Sequence, residues 1–246
     1  MTLIQAYLLL FLGVIVGGII FSQFKKSHHR WLEGFNVFGG AFLLAICFLQ
    51  LVPHIYEYGE HSHEHNHVTV IPLGAFVLVG FIVQLLLENL SKGIEHGHSH
   101  PTDSKSPRSL SLLIGLSLHA FLEGMPVVSH DGHVHEALIW GIFIHNIPIV
   151  MVLTTILIGA GVAKWKRYLA IFIFSIMSPL GSVVNRISSS LFGNFDAIIM
   201  ALVVGILLHV SVSILFTDEN KSARVSKILI ILLAFALAYI MPSCGH

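Results

Sequence analysis

The chain has 246 residues, of which 55% are hydrophobic and only 11% are charged. Soluble domains carry about 25% charged residues, so this composition excludes an ordinary soluble fold and is typical of a chain that crosses a membrane several times. The formal net charge is zero, which gives no support to a nucleic-acid partner. Histidine is the outlier, with 17 residues against 13 lysines and arginines combined.

Eight apolar stretches are long enough to cross a bilayer, which takes about 20 mostly apolar residues in a helix. These predicted spans 1 to 8 are residues 3–22, 33–55, 69–90, 110–128, 136–160, 168–190, 196–216 and 226–242. The connecting segments are mostly short, so we expect one bundle rather than separate units. The sequence therefore predicts an all-α integral membrane protein, with a single transmembrane transporter domain over residues 1–246.

Basic residues alternate between the two sides of the predicted bundle. The segments that follow spans 1, 3, 5 and 7, together with the first two residues of span 8, hold 12 of the 13 lysines and arginines. Because lysine and arginine accumulate in cytoplasmic loops, these segments are predicted to face the cytoplasm and both termini to be extracytoplasmic. Span 4 then runs outward and span 5 inward. We expect a multi-pass protein surrounded by the lipid bilayer of the cell (inner) membrane.

Two of the connecting segments are rich in histidine. The outer loop, residues 56–68, contains His61, His63, His65 and His67. The inner loop, residues 91–109, contains His96, His98 and His100. Alternating histidines in an adaptable loop can chelate a divalent metal, and the same composition also occurs in solvated polar linkers. We favour metal capture or sensing, with the linker as the open alternative.

Span 4 carries two polar side chains inside an apolar run. His119 and Glu123 are four residues apart, which places them on one face of a helix. From the inner end of the span near Leu110, a rise of ~1.5 Å per residue puts them about 13 and 20 Å deep. His145 in span 5 lies about 13 Å below the outer surface, between those two levels in a hydrocarbon core of ~30 Å. The short link over residues 129–135 favours antiparallel packing of the two spans, which would bring the three side chains together.

Ionisable groups at this depth are costly without a partner. A divalent cation suits these three, because imidazole nitrogen and carboxylate oxygen ligate zinc, usually in four-coordinate geometry. The same groups accept Fe²⁺, Mn²⁺ or Cd²⁺. Asn146, which follows His145, is a further candidate ligand through its side-chain oxygen. A His–Glu pair that satisfies itself inside the bundle is the structural alternative.

Other polar residues mark a candidate pathway. His54, at the outer end of span 2, could form an entrance. His209, in the inner half of span 7, is equally compatible with a pathway ligand and with a packing histidine. Pro126 and Pro148 each remove a helical hydrogen bond close to the predicted ligands. In a membrane, such an interruption is tolerated where the freed carbonyl lines a cavity or is re-satisfied by neighbours.

The motifs that hold the candidate ligands are His119-x-x-x-Glu123-Gly124 and His145-Asn146-x-Pro148. They resemble the paired metal-binding motifs of the ZIP (Zrt/Irt-like) family of divalent-metal transporters. The eight spans, the outside termini and the His-containing inner loop are also similar to that family's plan. The resemblance implies uptake of zinc, or of a related ion, into the cytoplasm through a site in spans 4 and 5. It also implies a protein that is not an enzyme and has no prosthetic group, the metal being its substrate.

Three positions differ from the family's motifs. Ala120 follows the first histidine where Asn or Asp is frequent, and Ile149 follows the span 5 proline where an acidic residue or His is usual. Ser178 stands before the span 6 proline where Glu is common. The usual residues complete a second, bridged metal site in members with two metals. The chain is therefore predicted to keep one site, with Ser178 on the pathway.

Two other functions compete with transport. An intramembrane zinc-dependent hydrolase could use an open coordination position to activate water. Against it, the chain has no HExxH motif, and Glu123 as a ligand leaves no obvious general base. A metal sensor that does not transport is the other alternative. The sequence leaves open the metal, the direction of transport and the oligomeric state, a homodimer included.

Overall fold

The computed structural model describes residues 1–23, 29–61, 72–91, 107–129, 132–192, 195–216 and 224–241. Within these ranges the regular structure is helical, and no β-strand is present. The α-helices are α1 (Leu3–Gln23), α2 (His29–Ile46), α3 (Val52–His61), α4 (Leu73–Ser91), α5 (Pro107–Gly124), α6 (Glu136–Gly159), α7 (Lys164–Phe192), α8 (Phe195–Phe216) and α9 (Arg224–Ile240).

Seven helical stretches of the described chain are long and apolar enough to cross a membrane. They correspond to predicted spans 1 to 7 and confirm the prediction of an all-helical, multi-pass membrane protein. The last predicted span, residues 226–242, falls on α9, an apolar helix of 17 residues. At ~1.5 Å per residue α9 is about 26 Å long, somewhat less than the ~30 Å of a hydrocarbon core. The eighth crossing and the side of the membrane on which the termini lie remain predictions.

The second span changes its helical geometry partway along. Between α2 and α3, residues Cys47–Leu51 form a π-helical segment, in which the N–H of Val52 donates to the carbonyl of Cys47. Pro53 comes directly after and has no N–H to donate, so regular α-helical bonding cannot continue through this point. Gln50 lies within the segment and is buried. Segments of this kind are frequent at functional sites.

The spans differ in how much of their surface is buried inside the protein. α8 is the most buried of the spans, whereas α1 and α4 expose most of their surface, as expected of helices that face lipid. α5 packs along α7 and α4, and α6 packs along α1 and α2. α5 and α6 are also in contact with each other, in agreement with the predicted pairing of spans 4 and 5.

A tight hairpin joins α5 to α6. α5 passes into a single 3₁₀ turn, Met125–Val127, so Pro126 helps to terminate the helix rather than kink it. A β-bridge then pairs Val128 with Val134. α6 begins at Glu136. This short connection holds the end of α5 beside the start of α6, and so sets the register of the polar residues on the two helices.

Candidate metal centre

Three buried side chains converge from α5 and α6. His119 and Glu123 are both 0% exposed and lie one turn apart on α5, and His145 on α6 is 2% exposed. One ligand atom from each of the three lies within 4.8 Å of the other two. The depth argument from the sequence therefore identified three side chains that do come together in the folded chain.

The distances within this cluster are close to those of a metal site. Glu123 Oε1 lies 2.9 Å from Nε2 of His119 and 3.9 Å from Nε2 of His145. Ligand atoms around a tetrahedral zinc ion, each at about 2.0–2.2 Å, are separated by roughly 3.4 Å. The two distances bracket that value. Small side-chain adjustments are enough to place all three atoms around one ion.

Buried oxygen atoms at and near the cluster lack other partners. Neither carboxylate oxygen of Glu123 accepts a hydrogen bond from the residues that the structure describes, and the same holds for Oδ1 of Asn146 and Oγ of Ser117. A buried carboxylate without compensation is very unfavourable. A bound divalent cation would provide that compensation directly. Asn146, 1% exposed, follows a cluster member in the chain, as expected of an accessory oxygen ligand.

A glutamine on α4 orients the first histidine. Oε1 of Gln84 lies 2.9 Å from Nδ1 of His119, and both side chains are buried. An amide oxygen can only accept, so Nδ1 carries the proton and Nε2 is left with the lone pair that faces Glu123. Partners of this kind fix the tautomer of metal-bound histidines. Gln84 was not among the predicted site residues, although a polar amide in an otherwise apolar span is a signal that could have identified it.

The glycine next to Glu123 permits unusually close packing of α5 against α7. A Cβ atom at Gly124 would lie 2.1 Å from the carbonyl oxygen of Ser178, and one at Gly181 would lie 2.0 Å from the carbonyl oxygen of Phe121. The two helices therefore touch backbone to backbone at this level. Because of this contact, the buried residue Ser178 lies beside Gly124, which directly follows Glu123 in the chain.

A narrow pocket leads away from His145. Its lining comes from α2, α5, α6 and α8: Asn36, Leu112, Leu116, His145, Pro148, Ile149, Val152, Val210 and Ile214. All of these except His145 lie between the cluster and the end of the bundle where α6 terminates, which we call the C-terminal end of α6. Pro148 lies inside α6 and has no N–H, so the carbonyl of Ile144 loses its helical partner beside this pocket.

The other predicted pathway residues lie apart from the cluster. Nε2 of His209 lies 3.6 Å from Oε2 of Glu88, and its ring packs edge-on against Phe81 with the ring centroids 4.7 Å apart. This pairing was not anticipated, because it joins α4 and α8, which are distant in the sequence. His54 lies near His135 at the N-terminal end of α6, with ring centroids 5.3 Å apart.

Most of the predicted metal ligands in the two His-rich loops lie outside the described residues. α3 ends at His61, whose side chain is not described. The remaining predicted loop ligands fall in residues 62–71 and 92–106, outside the described ranges: His63, His65, His67, His96, His98 and His100. Metal capture by these loops therefore remains a prediction.

The sequence was also compared with known proteins. A sequence model described as ZIP zinc transporter matches residues 1–109 and 95–241. The two matches overlap in the inner His-rich loop and together cover nearly the whole chain. No curated protein matches the sequence significantly. The extent of the family match, together with the buried cluster that the two motifs form, leads to one conclusion: the chain belongs to the ZIP zinc transporter family.

Proposed function

We propose that the protein carries Zn²⁺ into the cytoplasm through one site formed by His119, Glu123 and His145. The family is one of divalent-metal transporters and not of enzymes, so metal transport itself follows from membership. We propose three further points: that the ion is Zn²⁺, that it is transported into the cytoplasm, and that these three residues are its ligands. The observation that carries it is the convergence of three buried ligand atoms within 4.8 Å inside membrane-spanning helices.

The donor set supports zinc as the preferred ion. Two imidazole nitrogens and one carboxylate oxygen are common zinc ligands, and zinc completes a four-coordinate shell with one further oxygen. Asn146 Oδ1, buried and without a hydrogen-bond partner in the described part of the chain, is the candidate for that position. Fe²⁺, Mn²⁺ and Cd²⁺ are accepted by similar ligands and are the competing substrates.

The two sides of the site differ in a way that supports an inward path. Toward the C-terminal end of α6, which the loop charges predict to face the cytoplasm, the pocket reaches His145. Toward the opposite end, Ile139 and Ile142 are fully buried, as are Leu43 and Ile46 on α2. A dry apolar layer of this kind blocks a hydrated ion, so this conformation is one from which bound metal leaves toward the cytoplasm.

Residues outside the site would assist passage. We assign His54 to the outer entrance, Ser178 to the wall beside Glu123, and His209 with Glu88 to the inner half of the bundle. The outer and inner His-rich loops would raise the local metal concentration on each side. The cell (inner) membrane is the proposed location.

The decisive experiment is uptake of radiolabelled zinc into proteoliposomes that contain the full chain. His119→Ala, Glu123→Ala and His145→Ala are each expected to reduce uptake at least about tenfold, since each removes a proposed ligand. Thr154→Val is the matched control on α6, because Thr154 is buried and its hydroxyl donates only within its own helix, to the carbonyl of Val150. It should transport as the parent chain does.

Two outcomes would contradict the proposal. Unchanged uptake in all three alanine variants would remove the site. Tight zinc binding by the parent chain without any flux would instead support the sensor hypothesis. Parallel assays with Fe²⁺, Mn²⁺ and Cd²⁺ determine the preferred ion.

A further inference from the structure

A second group of histidines lies at the N-terminal end of α6. His135 immediately precedes the helix, His133 lies in the hairpin before it, and His54 comes from α3 on the other side. The ring centroid of His135 is 5.3 Å from that of His54 and 5.2 Å from that of His133. His135 is buried, His54 half-buried and His133 exposed, so the three form a series from the surface into the protein. We call this group the outer histidine cluster.

The rings pack edge to face, at interplanar angles of 86° and 62°, and their centroids are as far apart as those of two histidines that bind one metal ion. A zinc ion about 2.0–2.1 Å from a ring nitrogen is roughly 3.2 Å from the ring centroid, so two tetrahedral histidine ligands have centroids about 5.2 Å apart. Both measured separations match this value. The ring nitrogens do not converge as the ligand atoms of His119, Glu123 and His145 do, so binding requires the side chains to rotate, and His133 lies exposed on a hairpin.

A neighbouring hydroxyl orients the central ring. Oγ of Ser129 lies 2.9 Å from Nε2 of His135, and both side chains are buried. The hairpin makes them diagonal neighbours on one face, because the N–H of His135 donates to the carbonyl of Val127 and the N–H of Ser129 donates to the carbonyl of His133. Hydrogen bonds of this type hold metal-binding histidines in a fixed orientation.

The outer cluster is separate from the proposed transport site. His135 and His145 are ten residues apart on α6, which is about 15 Å at ~1.5 Å per residue. Ile139 and Ile142 lie between them and are fully buried. α2 closes on α6 at the same level, where a Cβ atom at Gly141 would lie 2.7 Å from Leu43 Cδ2. An ion held at the outer cluster therefore cannot reach His145 until the two helices separate.

We propose that His54, His133 and His135 form a second site for a divalent cation, which loads the transport site when α2 and α6 part. Three protein ligands leave a coordination position for water, and such an open site exchanges its ligands more readily than a closed structural site. That property suits a site that must release its ion inward. Binding by the cluster is independent of the proposed function, whereas the loading role rests on it.

Equilibrium dialysis of the purified full chain against radiolabelled zinc tests the binding step. The assay uses Glu123→Ala as background, which disables the proposed transport site, and compares it with the same chain carrying His54→Ala and His135→Ala. The two added substitutions should remove one equivalent of bound zinc. Tyr56→Ala, at an exposed residue two positions from His54, is the matched control and should remove none. An equal number of equivalents with and without the two histidine substitutions would overturn the proposal.

A cysteine variant separates a ligand from a structural residue. His135→Cys should still bind one equivalent of metal at this cluster. Compared with the parent chain it should prefer Cd²⁺ over Zn²⁺, because thiolate is a softer ligand than imidazole. It should also add a thiolate-to-cadmium absorption in the ultraviolet. A folded His135→Cys variant with no additional cadmium absorption would argue against His135 as a ligand.

The loading role is tested by zinc flux. In the otherwise unchanged chain, His54→Ala with His135→Ala should raise the zinc concentration for half-maximal uptake about tenfold or more, with the maximal rate retained. An unchanged half-maximal concentration would overturn this role. Failure of the proposed function would look different: the parent chain itself would show no zinc flux, and the dialysis result would still stand.

Discussion

Replacing Gly124 by alanine tests whether the close approach of α5 and α7 positions Glu123. The added methyl group would lie 2.1 Å from the carbonyl oxygen of Ser178, whereas ordinary contacts begin at 3.4 Å. That oxygen belongs to the backbone of a packed helix and cannot rotate away. α5 and α7 must therefore move apart by about 1 Å or more. Metal–ligand distances tolerate only about 0.2 Å, so Glu123 leaves the position in which it shares an ion with the two histidines.

We expect the apparent zinc affinity of Gly124→Ala to fall about 10- to 100-fold, the range found when residues that support metal ligands are removed. The assay is zinc uptake by proteoliposomes over a range of zinc concentrations. Gly74→Ala is the matched control, because nothing lies within 4 Å of a Cβ atom at Gly74. Alanine favours a helix over glycine by up to about 1 kcal/mol, so loss of affinity in Gly124→Ala cannot arise from helix propensity.

The reasoning would be refuted if Gly124→Ala transported zinc with the affinity of the parent chain. That result would mean either that α7 yields without moving Glu123 or that Glu123 does not bind the ion. The Glu123→Ala variant, measured in the same preparation, distinguishes the two explanations.

Three further substitutions have defined outcomes. Gln84→Leu should weaken zinc binding about 10- to 100-fold, because it releases the His119 ring. Gln84→Glu still accepts a hydrogen bond from Nδ1 of His119 and should retain the zinc affinity of the parent chain. Equal zinc affinities of Gln84→Leu and the parent chain in binding titrations would show that the contact is unimportant. Asn146→Ala should lower zinc affinity more than cadmium affinity if its oxygen completes the harder coordination shell, and metal-resolved uptake measures the ratio. Asp196→Ala should destabilise the protein by about 1–3 kcal/mol, because Oδ1 of Asp196 accepts hydrogen bonds of 2.8 Å from Asn185 and 2.5 Å from Ser189. Thermal unfolding in detergent should show this loss of stability. The zinc affinity of the folded protein should not change.

The core of the candidate site was predictable because helical geometry is local and regular. A four-residue spacing places His119 and Glu123 on one face whatever surrounds the helix. A fixed rise per residue then puts His145 at their level, once loop charges are used to predict the direction of each span. The family resemblance drawn from these motifs is confirmed by the match over nearly the whole chain.

Contacts between spans that are distant in sequence were not predictable. Gln84 meets His119 only because α4 packs along α5, and hydropathy does not specify which apolar helices become neighbours. The pairing of Glu88 on α4 with His209 on α8, 3.6 Å apart, was not predicted for the same reason. The outer histidine cluster also depends on such a contact, between α3 and the hairpin that precedes α6.

Local departures from α-helical geometry were only partly visible in the sequence. Pro126 was expected to interrupt helical hydrogen bonding near the predicted ligands, and the structure shows that α5 ends there, in a 3₁₀ turn. The π-helical segment at Cys47–Leu51 has a visible cause in Pro53, yet the proline alone does not determine how the preceding turn rearranges. These details depend on packing against neighbouring helices.

The most direct test of the central claim is an anomalous difference map, recorded at the zinc absorption edge, from crystals of the zinc-loaded protein. The account predicts a peak about 2.0–2.2 Å from Nε2 of His119, Nε2 of His145 and a carboxylate oxygen of Glu123. Zinc peaks elsewhere in the membrane-spanning helices, with none among these three side chains, would contradict it.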